Sequence, residues 1–205
     1  MKIGVIGAAT VGMTLAVRLA AAGHEVSVAS RRGPQNLSTL LADSGVPLTP
    51  ATTGQAMEAD VVFLAVPWTR VRDVLTPGIA WDGRILVDAT NIFLSYAPDF
   101  RVDDLHGESG SEIVARLAPS ARVVKAFNTL PFAKMFASAP SGLQRVIPVA
   151  GDDDVAVSVV AGLIEAMGLH PLGLGSLADG GRRMEVGGPF SGFELLTPIG
   201  SEVRA

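Results

Sequence analysis

The sequence predicts an α/β fold built on a doubly wound, mostly parallel sheet, and three observations carry that expectation. Short apolar runs recur at KIGVIG (2–7), EVSVAS (25–30), DVVFLAVP (60–67), RILVDAT (84–90), ARVVKAF (121–127) and RVIPVAG (145–151). Continuous apolar runs of this length mark strands buried on both faces, as parallel sheets require. Helical patterns stand between several of them, and alternating strands and helices build βαβ units. The composition agrees: 48% of the 205 residues are apolar and 18% charged, with 23 glycines and 13 prolines. That balance is globular rather than disordered or coiled-coil.

Taken in order, the first strand runs into VGMTLAVRLAAAG (11–23). Val11, Leu15, Leu19 and Ala22 share a helical face there, and Gly23 supplies the stop. The second strand is followed by PQNLSTLLADSG (34–45), a helical stretch opened by Pro34 and closed by Gly45. Pro67 ends the next strand. Pro148 has no N–H for a ladder, so strand 145–151 is expected at or near a sheet edge. DDDVAVSVVAGLIEAMG (152–168) reads as a helix whose acidic start suits the positive end of its dipole. HPLGL, from His170, reads as a short terminal strand. Residues 91–110 make a long connection of the kind that is often functional or mobile. Residues 173–205 carry eight glycines and little periodicity. The expected organisation is one domain over 1–172, with a short Gly-rich C-terminal extension over 173–205 packing on it.

Several function classes drop out. A net charge of −4 leaves no basic face for nucleic acid. The chain has no cysteine, which removes thiol catalysis, disulfides and thiolate metal sites. Histidines at 24, 106 and 170 are too far apart in sequence to suggest a metal centre. The chain enters a strand after one lysine, with no signal-peptide pattern. Its longest apolar run, around residues 155–169, is interrupted by Glu165 and too short for a membrane span. A cytoplasmic protein is expected, acting on a small molecule without nucleic acid or membrane.

The first strand leads through GAATVG (7–12) into a helix, in the place and near the spacing of the Rossmann dinucleotide fingerprint G-x-G-x-x-G. Gly7 permits the tight turn and Gly12 close helix packing. Ala9 stands where the middle glycine would let backbone approach a pyrophosphate. Thr10 and Val11 complete the loop; the competing reading is a strand–helix turn that binds nothing. The second strand discriminates between them. In NAD-binding units an acid about 20 residues beyond the glycines holds the adenosine ribose, whereas Ser30, Arg31 and Arg32 stand here. A hydroxyl and two guanidinium groups suit a 2′-phosphate and an acid would repel it, so NADP is the expected cofactor.

Ala65, Val66 and Pro67 in AVPW, and Asn91 in DATN, end strands at the same carboxyl edge, where open α/β sheets bind ligands. Pro67 serves equally as a strand terminator. Asp88 fits a turn or cap better than a catalytic carboxylate. No acid–base constellation stands out. Tyr96, the only tyrosine, has no lysine four residues on, and His106 sits in the acidic loop DDLHGESG, where a solvated role fits better than a proton donor's.

With these residues in place, the chain resembles the family of NADP oxidoreductases dependent on coenzyme F-420 (8-hydroxy-5-deazaflavin). GAATVGMTLAVRLAAAGHEVSVASRR, AVPW, VVKAFNTLP, IPVAGDDD and GSLADGGRRME follow in the family's order, from residue 1 to about 185. ASRR together with GDDD is the most specific part. The same domain is similar to the reductase domain of membrane ferric reductases. The resemblance implies hydride passing directly between nicotinamide and a stacked deazaflavin, with coenzyme F-420 as co-substrate, and a homodimer. It places Ser30, Arg31 and Arg32 on the 2′-phosphate. Asn128, in KAFNTLP (125–131), stands where the family has a histidine, and is the candidate for orienting the acceptor. GGPFSGFELLTPIG departs from the amphipathic dimer helix the family implies. The function expected is an NADP(H)-dependent oxidoreductase passing hydride to a flat deazaflavin- or flavin-like acceptor. The alternatives are a non-catalytic NADP sensor, and a reductase of a small carbonyl or imine oriented by Asn128 or Asp88.

Overall fold

Alternate residues of a central strand join different apolar clusters, and this shows how the chain fills two faces of one sheet. In Val61–Leu64, Val61 and Phe63 join one apolar cluster while Val62 and Leu64 join the other. A strand apolar at every position needs cover on both sides, and helices supply it. The structure, a computed structural model, describes residues 1–96 and 98–200.

The strands are β1 (Lys2–Ile6), β2 (Glu25–Ala29), β3 (Leu48–Ala51), β4 (Val61–Leu64), β5 (Ile85–Asp88), β6 (Phe93–Ser95), β7 (Arg101–Val102), β8 (Arg122–Ala126), β9 (Leu143–Gly151), β10 (His170–Gly173) and β11 (Leu196–Pro198). The helices are α1 (Thr10–Ala21), α2 (Ser38–Ala42), α3 (Thr53–Met57), α4 (Val71–Val74), α5 (Gly110–Leu117), α6 (Phe132–Met135), α7 (Asp154–Ala166) and α8 (Arg182–Met184). The main sheet runs β10-β9-β8-β5-β4-β1-β2-β3, with β11 added antiparallel to β9. Every neighbouring pair from β3 to β8 is parallel; β9 runs against β8, and β10 runs with β9. The result is a mostly parallel Rossmann-type sheet. Its order reverses at β1, between β2 and β4, the switch point at which such sheets bind ligands.

One sequence expectation needs correcting, and three stretches carry elements that the patterns do not announce. The stretch 34–45 is not one helix: a 3-10 turn over Pro34–Asn36 precedes α2. The short strand β3 follows it; LTPA carries too few apolar residues to announce a strand, and pairing with β2 creates it. The connection 91–110 is partly structured, since β6 and β7 pair as a hairpin. The 173–205 stretch holds α8 and β11 despite its glycines, and its last residues, 201–205, lie outside the described ones. Strand β9 lies one place in from the edge formed by β10. Pro148 is tolerated because β8 pairs with residues 149–151 of β9 and stops short of it.

Candidate functional site

Six parallel strands point their carboxyl ends at one edge, so the loops that follow them converge there. Gly7, just past β1, has φ +119°, and a Cβ on it would lie 2.1 Å from the Ala65 carbonyl oxygen. Its N–H donates to the Ala29 carbonyl at 2.9 Å, and the Ala65 N–H to that of Ile6 at 2.9 Å. The first turn is thereby fixed against the ends of β2 and β4 together. A Cβ on Gly12 would lie 1.7 Å from the Gly7 carbonyl oxygen, so only glycine lets α1 start this close to β1. Ala9 precedes α1 in an extended conformation, φ −90° and ψ −175°, which alanine adopts without strain. It offers no side-chain cap, so the N–H groups of Thr10, Val11 and Gly12 have no intrahelical partner and define an anion-binding end.

The end of β2 lies beside this turn because β1 and β2 pair along their whole length. Ser30 Oγ accepts from the Arg32 N–H at 3.2 Å, and Asn36 donates to the Arg32 carbonyl at 2.7 Å, so the backbone of the pair is held. Both arginine side chains are exposed, and among the described residues neither guanidinium has a hydrogen bond or ion pair. Two free guanidinium groups on a braced turn next to an anion-binding helix end fit a nucleotide 2′-phosphate. Past β4, Ala65 is buried, Val66 half-buried and Pro67 exposed. The 3-10 turn Trp68–Arg70 follows, and Trp68 Nε1 donates to Asp103 at 2.7 Å, tying the 91–110 connection to this edge.

On the other side of the switch point, the ends of β5 and β8 bring Asn91 and Asn128 together. Asn91 Nδ2 donates to the Asn128 carbonyl at 3.2 Å, and Asn128 Nδ2 to Asn91 Oδ1 at 3.3 Å and the Met184 carbonyl at 2.9 Å. Asn91 is half-buried, whereas Asn128 is buried and its Oδ1 has no partner among the described residues. Phe127 between β8 and Asn128 has φ +65°, a strained value for a bulky residue, of the kind that clusters at functional sites.

Beneath this edge lies a charged group that the strand patterns do not announce. Lys125 and Asp88 are register partners on β8 and β5, both wholly buried, with Nζ 3.1 Å from Oδ2. Lys125 also donates to the Thr90 carbonyl at 2.6 Å and faces Glu185 at 3.7 Å. Asp88 accepts further from the Thr90 N–H and hydroxyl and from Ser111. Asp88 therefore is not merely a turn residue. Burial alone pushes the Lys125 ammonium down, but Asp88 and Glu185 outweigh it and the net shift is upward. The one available signal was a lysine inside the apolar run ARVVKAF; Glu185 and Ser111 reach it from 60 and 14 residues away, which no local pattern shows. His106 is exposed, with its N–H on Asp104 and its ring Nδ1 3.6 Å from the same carboxylate.

The chain is similar in sequence and fold to known proteins. The model of coenzyme F-420-dependent NADP oxidoreductases matches residues 2–92, from β1 through Asn91. A hypothetical protein from Sinorhizobium meliloti, SMa0349, is 39% identical, with a TM-score of 0.86 and 96% of each chain covered. A protein assigned as an F-420-dependent NADP reductase, from an Arthrobacter species, is 27% identical, with a TM-score of 0.78 over 95% of this chain and 99% of that one. The rat metalloreductase STEAP3 is 31% identical over 181 residues, 87% of this chain and 34% of that protein. The chain spans about a third of the length of the curated relatives it matches. Over residues 2–92, from β1 through Asn91, the chain carries the sequence pattern of the NADP oxidoreductases dependent on coenzyme F-420.

Proposed function

We propose that this NADP oxidoreductase passes hydride directly between nicotinamide and a flat deazaflavin- or flavin-like acceptor, with coenzyme F-420 the leading candidate. The observation that carries the cofactor half of the reading is the free Arg31–Arg32 pair beside the open first turn of α1. Gly7, Ala9, Thr10, Val11 and Gly12 would hold the pyrophosphate, and Ser30, Arg31 and Arg32 the 2′-phosphate. Ala65, Val66 and Pro67 would wall the cofactor, and Asn91 and Asn128 would face its nicotinamide end. Bound NADPH supplies the hydride; the chain supplies position. Lys125 and Asp88, the charged groups under the β5 and β8 ends, are wholly buried and satisfy one another, which leaves them no reach to a substrate. A reaction that needs only proximity and orientation suits such a site.

The domain of residues 1–172 with its 173–205 extension, a homodimer and a cytoplasmic location belong to the same reading. Among the described residues no helix is long and apolar enough to cross a membrane.

The test is NADPH oxidation with an 8-hydroxy-5-deazaflavin, FMN and a cyclic imine offered in turn. Turnover with the deazaflavin or FMN is expected; turnover with the imine alone would move the protein to another substrate class. A second measurement addresses Asn128. Asn128→Ala is expected to raise the acceptor KM or lower kcat by about tenfold while NADPH affinity stays unchanged. If Asn128 only shapes its turn, the melting temperature falls and all the parameters shift together.

A further inference from the structure

The Lys125 cluster contains one ammonium and two carboxyl groups, all buried: Lys125 and Asp88 at 0% exposure and Glu185 at 6%. With both acids ionised it would hold an uncompensated negative charge away from water, which is strongly unfavourable. The donors say which acid is neutral. Asp88 uses both oxygens twice: Oδ1 accepts from the Thr90 N–H at 2.9 Å and its hydroxyl at 2.7 Å, and Oδ2 from Ser111 at 2.6 Å and Lys125 at 3.1 Å. Glu185 differs. Its Oε1 accepts from the Gly110 N–H at 3.1 Å and faces Lys125, while Oε2 is buried with no partner among the described residues. An ionised oxygen there would be a buried charge with no donor to offset it, whereas the neutral acid leaves only an unpartnered hydroxyl, which costs far less.

We propose that Glu185 is a neutral carboxylic acid, protonated on Oε2, and a positioning residue for the acceptor side of the site. The acid holds the turn after α8 to α5 through Gly110, and Met184, the preceding residue, offers its carbonyl to Asn128 Nδ2. Asn128 in turn pairs with Asn91. Its role in orienting the acceptor rests on the hydride-transfer reading above. The surrounding charges agree with the assignment. Lys125 comes from β8 and Asp88 from β5, while α5 presents Ser111 and the Gly110 N–H. Glu112 is committed to the Ser109 N–H, and Arg182 and Arg183 to Gly107 and Asp179. Burial raises the Glu185 carboxyl above the ordinary range, Lys125 and the Gly110 N–H oppose this, Asp88 adds to it, and the net shift is upward.

Because the folded value is raised, the folded protein holds a proton that the unfolded chain has released above about pH 4.5. Stability from this group is full below that pH and is lost as pH rises toward the folded value. Glu185→Gln copies the neutral acid and has no proton to lose. Denaturant unfolding from pH 5 upward is therefore expected to show the variant's folding constant gaining on wild type by about tenfold per pH unit until the folded value is reached. Glu185→Ala is expected to raise the acceptor KM by about tenfold with NADPH affinity within about twofold, and Glu185→Gln to restore it. A ratio of folding constants that stays the same from pH 5 to 8 overturns the proposal. So does a glutamine variant that cannot fold, or one that behaves kinetically like alanine. If wild type turns over no acceptor, the hydride-transfer reading has failed, and the folding ratio, which needs no acceptor, still decides whether Glu185 holds the proton.

Discussion

Replacing Arg31 and Arg32 together with alanine is expected to weaken NADPH binding by about a hundredfold and leave NADH binding within about twofold. Each guanidinium can form a charge-assisted hydrogen bond to the 2′-phosphate, contributing about 1.5–3 kcal/mol. Two at the lower value give about 3 kcal/mol, or roughly two decades in Kd. The free protein does not oppose the change, since neither side chain has a hydrogen bond or ion pair among the described residues. NADH lacks the phosphate, and the α1 turn proposed to hold its pyrophosphate is untouched. The folded state should also be unaffected, because the backbone of the turn is held by Ser30 Oγ and Asn36. Fluorescence titration with both nucleotides measures the ratio. Equal loss for NADPH and NADH would mean that the arginines shape the turn instead of reading the phosphate.

Lys125→Met is expected to be the most damaging single change to stability, about 3–5 kcal/mol, because it leaves Asp88 ionised and buried without its counter-charge. In a chain of this size that lowers the melting temperature by on the order of 10 °C. Methionine fills similar space, so the loss reports the charge and not a cavity. Adding Asp88→Asn to Lys125→Met removes the stranded charge, and thermal unfolding is expected to show a substantial part of the loss recovered. If the double variant is no better than the single one, the lysine acts through packing alone.

Much of the fold was legible because its signal is local. Strands β1, β2, β4, β5 and β8 are continuous apolar runs with ends within a few residues of where period and proline placed them. The candidate cofactor edge followed from them, since parallel strands deliver Gly7, Ser30, Ala65, Asn91 and Asn128 to one side whatever the loops do. Elements created by pairing were not legible. LTPA becomes β3 because β2 presents an open edge, and the β6–β7 hairpin is braced by Phe93 stacking edge-on against Tyr96 and Phe100. The Lys125 cluster was the deepest omission. Its members lie on β5, β8, α5 and after α8, so only the sheet order makes them neighbours. The sequence reading of Asp88 as a cap caught its bonds to Thr90 and missed Lys125.

Direct hydride transfer is tested most directly with NADPH carrying deuterium at the transferred C4 position and an 8-hydroxy-5-deazaflavin as acceptor. The deazaflavin accepts hydride at a carbon, so a transferred deuteron stays there and mass spectrometry of the reduced product finds it. Single deuterium incorporation, undiminished in ordinary water, is the expected result. A reduced product without deuterium, or NADPH that is bound and never oxidised by any flat acceptor, would contradict direct transfer between stacked rings.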